Sequence, residues 1–162
     1  MTEQEIIIND LTNLTKRKNA YLYTYFKTDN KRYLHKANLI ELIIYDLRIM
    51  AGIIPTVCDA YQVTEKDILS GHRKAHIIDA TMIIMSKKLV FDKKKLQHIA
   101  TDLNRISHAT VLHGINKVID SFGMNDQRSR KIEKICRDYQ QNGVSLYDKL
   151  VKYRTEKDKL KC

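Results

Sequence analysis

Proline is nearly missing from this sequence: Pro55 is the only one in 162 residues, and glycine occurs five times. So few turn-formers argue against an all-β sandwich or barrel, which needs a turn about every 8–12 residues. No apolar run approaches the roughly 18 residues that span a bilayer. The opening MTEQEIIIND is acidic where a secretory signal would be basic. The expectation is a cytoplasmic protein with no membrane partner. Three cysteines, Cys58, Cys136 and Cys162, stand too far apart for a CxxC pair, and no HExxH accompanies them. His72 and His76 lie four residues apart but lack acidic or thiol support, so no metal site is expected. Neither GxxxxGK[ST] nor GxGxxG occurs, which excludes a phosphate-cradling loop of the ATPase or dinucleotide kind. No nucleophile stands at motif spacing from a base, and no carboxylate pair falls in apolar surroundings. The chain is expected to be neither an enzyme nor a cofactor carrier.

What the sequence has is apolar content and positive charge. Apolar residues make up 43%, enough for a buried core in a single domain of ordinary size. Twenty-nine Lys and Arg oppose 19 Asp and Glu, a formal charge of +10. The excess is uneven: residues 1–63 carry 8 basic and 7 acidic side chains, residues 64–121 carry 10 and 6, and residues 122–162 carry 11 and 6. This balance favours a polyanionic partner, nucleic acid ahead of an anionic surface.

Periodicity reads as a series of helices. Ile7, Leu11 and Leu14 mark a first helix over 3–18, either packed within the chain or joining a homo-oligomer. YLYTYF at 21–26 reads as helix or extended link. Residues 34–52 are apolar on nearly all sides, as in a helix enclosed by a core. Pro55 fits the first turn of a short helix ending at Tyr61. Thr64 caps the next, closed by Ser70-Gly71. A long helix follows from about Ala75 to Leu89. Lys95–Leu103 then carries Leu96, Ile99, Ala100 and Leu103 on one face. After a short break, Ser107 caps a helix to about Phe122 with Val111, Leu112, Ile115, Val118 and Ile119 inward. Two amphipathic helices around a tight break are the pattern of a helix-turn-helix. Beyond Gly123, Ile132, Ile135, Cys136 and Tyr139 form one stripe. Gly143 interrupts it, and a basic helix closes the chain over 145–160. The expected fold is all-α: an N-terminal helical region at 1–52, a helix-turn-helix module at 53–121 and a basic extension at 122–162.

The stretch Ile106-Ser107-His108-Ala109-Thr110-Val111-Leu112-His113 resembles the RDHTTVLH signature of the bacterial replication initiator DnaA, in its C-terminal helix-turn-helix. Upstream, VCDAYQVTEKDILSGHRK at 57–74 is similar to that family's short helix, V-x-x-x-D-L-L-S helix and basic loop. The resemblance covers about residues 53–120. It implies a Trp-repressor-like helical domain that binds double-stranded DNA, with the recognition helix in the major groove and a loop arginine in the adjoining minor groove. By position, the minor-groove residue is Arg73, with Lys74 beside it. The groove-facing turn is Ser107, His108, Ala109 and Thr110, and a phosphate-contacting lysine is Lys117. Departures also matter. Ile106 replaces an Arg, whose charge Arg105 next door could supply. Ser107 replaces an Asp and loses its preference for cytosine N4. Ala109 replaces a Thr. Asp79-Ala80-Thr81 replaces Arg-Pro-Arg, which places a negative charge near the expected phosphates and implies a different target sequence and weaker non-specific binding. His113, off the face of His108 in an apolar helix, reads as a core histidine. No ATPase module accompanies the motif, so nucleotide switching is not expected. The expected role is sequence-preferring duplex binding in replication or transcription control, in a phage or mobile-element setting. The alternative is an adaptor that keeps the fold and binds replication proteins.

Overall fold

The computed structural model describes residues 3–160; Cys162 lies outside them. The chain divides into two compact units, residues 1–56 and 57–162. Among the described residues no helix is long and apolar enough to cross a membrane.

The first unit is a helical hairpin. Helix α1 (Glu3–Thr28) runs without a break through the tyrosine-rich stretch, and α2 (Lys31–Ala51) returns against it. Asp29 makes the turn in the left-handed region (φ 50°), its N–H donating to the Tyr25 carbonyl at 2.7 Å. The Asn30 side chain accepts from the Arg32 N–H. Between the helices, Lys18 pairs with Glu41 at 2.5 Å and the Tyr21 and Tyr33 rings lie 6.2 Å apart. Ile7, Leu11 and Leu14 are half-buried on the same helical stripe as Lys18 and Tyr21, so they serve this hairpin. The expectation that residues 34–52 are enclosed on all sides is corrected. Ala37, Ile40 and Ile44 are buried, but Leu39, Leu42, Ile43 and Met50 are exposed, because one partner helix covers only one stripe.

The second unit is built around α5 (Ala75–Val90), where every residue from Asp79 to Ser86 is buried. This is the enclosed helix of the protein. Helix α3 (Ile53–Tyr61), which begins in the first unit and ends in the second, has Pro55 in its first turn. Helix α4 (Glu65–Leu69) opens on a full capping box: the Thr64 hydroxyl accepts from the Asp67 N–H, and the Asp67 carboxylate accepts from the Thr64 N–H at 2.8 Å. Those bonds hold the Asp67 carboxyl below the usual carboxylate range. Helices α6 (Leu96–Asp102) and α7 (His108–Asp120) form the helix-turn-helix, with α7 packed on both α5 and α6. Ile99, Ala100, Val111, Ile115 and Val118 are all fully buried there.

The C-terminal residues fold into this same unit. Helix α8 (Gln127–Asp138) buries Ile132, Ile135 and Cys136, and α9 (Leu146–Lys159) buries Leu146 and Leu150 against α5 and α8. Between them lies a small hairpin unforeseen in the sequence reading: β1 (Gln140–Gln141) pairs antiparallel with β2 (Val144–Ser145). Its two-residue turn, Asn142-Gly143, has φ of 54° and 74°, as a primed hairpin turn requires. Arg137 stacks 3.6 Å from the Tyr147 ring centroid, and Phe122 meets the same ring at 4.6 Å.

One ion pair ties the extension to the central helix. Asp79 on α5 is buried, and its carboxylate accepts from Arg128 Nε (2.8 and 3.0 Å) and Nη2 (2.6 Å). The carboxylate raises the guanidinium's already high pKa. Asp79 therefore does not place a negative charge before incoming phosphates, contrary to the sequence expectation. Its charge is internal and neutralised by a residue of the extension.

Candidate nucleic-acid interface

The turn between α6 and α7 is fixed by its own backbone and by one arginine. Asn104 sits at φ 52°, and the Arg105 N–H donates to the Ala100 carbonyl at 2.7 Å. Arg105 Nη2 donates to the Ile68 carbonyl (2.7 Å) and to Thr81 Oγ1 (3.2 Å). Burial lowers its guanidinium pKa. Arg105 was expected on the DNA face as a replacement charge. In the structure it braces the turn to the end of α4 and to α5, and its side chain also lines the groove that holds Arg73. Next to it, Ile106 is 99% exposed, an apolar tip at the most prominent point of the turn.

Ser107 follows in extended conformation and caps α7, its hydroxyl accepting from the Thr110 N–H at 3.4 Å. His108, Ala109 and Thr110 are all exposed. The first turn of α7 thus stands open, with first-turn amides that have no partner within the helix.

The α4–α5 loop faces this helix. Gly71 turns the chain at φ 75°, and residues 71–76 are all exposed. Lys74 occupies the N-cap position of α5 and makes no side-chain cap there, so that helix also presents its amides outward. Between loop and α7 lies an open groove of about 430 Å³, with Arg73 on one side and Thr110, His113 and Lys117 on the other. Its floor is Ile78, Met82, Met85 and Gly114. A Cβ at Gly114 would stand 3.1 Å from both Met82 Cγ and Met85 Sδ, so glycine lets α7 lie this close to α5.

His113 is exposed in this groove, which corrects its reading as a core histidine. It shares a face with Thr110, Gly114 and Lys117 at i, i+3, i+4 and i+7, a relation that counting from Thr110 rather than His108 would have revealed. Elsewhere some of the basic side chains are tied up in ion pairs. Lys88 and Lys94 both reach Asp102, Lys87 reaches Asp92, and Arg154 reaches Asp120. Within the Lys93-Lys94-Lys95 run, Lys94 is therefore committed to the protein. None of the ion pairs among the described residues involves Arg73, Lys74 or Lys117.

Neither described thiol is primed for chemistry. Burial and the neighbouring carboxylates of Glu65, Asp67 and Asp59 push the half-buried Cys58 thiol up to about 11, and burial drives the Cys136 thiol further up.

Residues 50–118 match the family described as bacterial dnaA protein helix-turn-helix. Comparisons with curated proteins and with solved structures give no significant match. The matched segment takes in α3 to α6 and most of α7, with the loop that carries Arg73 and the open first turn of the last helix. Over that segment the chain is similar to the bacterial DnaA helix-turn-helix.

Proposed function

We propose that the protein binds duplex DNA with sequence preference and acts in the control of replication or transcription. In this reading α7 enters the major groove with Ser107, His108, Ala109 and Thr110 toward base edges. Arg73, from the exposed loop, reaches the adjoining minor groove, where a narrow A·T-rich segment attracts a guanidinium. Lys117, Lys74 and the open amides of α5 meet the phosphates, with the backbone lying along the groove between loop and helix. Arg105 holds the turn in place and adds its charge to the same groove. The single observation that carries the reading is the shared groove: Arg73 and the α7 face from Thr110 to Lys117 line it together.

Selection from a random duplex library tests this, with Arg73→Ala, His108→Ala and Lys117→Ala alongside the parent. Sequence preference is lost in the first two, while Lys117→Ala weakens all sequences alike. Preference unchanged in all three overturns the site. If about five to seven phosphates are neutralised, log K falls against log salt with a slope of about −5 to −6. The alternative, an adaptor for replication proteins, draws on Ile106, since a fully exposed apolar tip suits a protein partner. A flat salt dependence favours that reading.

A further inference from the structure

Beside its hairpin face α2 carries a second exposed stripe, apolar at Leu39, Ile43 and Met50 and charged at Arg32, Lys36 and Asp46. Positions 32, 36, 39, 43, 46 and 50 alternate in steps of four and three, the spacing of a coiled-coil seam. All six are exposed: Arg32, Lys36, Leu39, Ile43, Asp46 and Met50. At 100° per residue they centre roughly 110° round the helix from the buried Ala37, Ile40 and Ile44, with Lys36 bordering that seam. A two-helix hairpin has no further layer of its own to cover such a stripe.

We propose that a second copy of this chain covers it, with α2 packed antiparallel on the partner's α2 about a two-fold axis near residue 41. The stripe is symmetric about that point. In antiparallel register Leu39 of each copy faces Ile43 of the other, Lys36 faces Asp46, and Arg32 lays its aliphatic stem beside Met50. Both halves of the interface are then the same, as an isologous dimer requires. A parallel pairing would set Lys36 against Lys36, Arg32 against Arg32 and Asp46 against Asp46. Charge therefore selects the antiparallel arrangement as well as the partner. Within its own hairpin the Lys36 ammonium rests 5.5 Å from the Tyr21 ring and 5.9 Å from the Tyr33 ring, a contact compatible with a carboxylate arriving from outside.

Light scattering on the full chain, with Lys36→Glu, Asp46→Lys and the combined swap, tests the proposal. The parent should scatter at twice the 19.0 kDa of one chain at micromolar concentration. Each single swap creates like charges across the axis and should raise the dimer dissociation constant at least tenfold. The combined swap restores opposite charges and should return it to within about threefold of the parent. Restoration separates a broken interface from a misfolded chain. A monomeric parent, single swaps that leave the dimer intact, or a combined swap that does not restore it would each overturn the proposal. Binding of the variants to a single DNA site reports on the groove of the second unit independently of this result.

Discussion

Removing the Arg128 side chain should destabilise the second unit more than removing its partner does. Asp79 is only 4% exposed in its side chain, whereas that of Arg128 is 55% exposed. Arg128→Ala strips three hydrogen bonds from a carboxylate that stays buried on α5. Breaking a fully buried pair costs about 3–5 kcal/mol, and water entering where the guanidinium stood reduces this to about 2–3 kcal/mol. Asp79→Ala frees an arginine that can swing into solvent, for a loss of about 1–2 kcal/mol. The double variant should lose less than the sum of the two, with a coupling of about 1–2 kcal/mol. Urea titrations at constant m give all three values. An Arg128→Ala loss under about 0.5 kcal/mol, or one smaller than that of Asp79→Ala, would refute the view that this pair fastens the extension to the central helix.

Three further outcomes follow from other contacts. Ser107→Ala should cost about 0.5–1 kcal/mol, at the low end for a cap because its bond to the Thr110 N–H is 3.4 Å long, while Thr64→Ala, which breaks a reciprocal box, should cost about 1–2 kcal/mol in the same titration. Gly114→Val should force α7 away from Met82 and Met85, at a cost of about 1–3 kcal/mol and with weaker DNA binding in an anisotropy assay. Hydrogen bonds hold the Asp67, Asp102, Asp126 and Glu133 carboxyls below their ordinary range. Their stabilisation is complete above the unfolded carboxylate pKa near 4 and is lost as pH falls through the lower folded values, so the thermal midpoint should drop steadily below about pH 4.5.

Local chemistry made much of this protein legible. The Thr64 and Ser107 caps, the break at Asn104 and the buried stripes of α7 and α8 all follow from short-range rules that the tertiary fold left intact. What escaped depended on contacts far apart in sequence. Apolar periodicity around α2 and α5 looks alike, yet α5 packs against α4, α6, α7, α8 and α9, whereas α2 packs chiefly against α1. Asp79 and Arg128 are 49 positions apart, so neither reveals that the other cancels its charge. Arg105 looked free because its acceptors, the Ile68 carbonyl and Thr81, are 37 and 24 residues away. The β1–β2 hairpin is a different kind of omission, since Asn142-Gly143 is itself a turn signal and the two-residue strands beside it are too short to show alternation.

Dimethyl sulfate footprinting on the selected duplex tests the central claim most directly, because it methylates guanine N7 in the major groove and adenine N3 in the minor groove. The predicted pattern is a short run of protected guanines under α7, flanked by protected adenines whose protection disappears in Arg73→Ala while the guanine run persists. Protection confined to one groove, or adenine protection that survives the loss of Arg73, would contradict it.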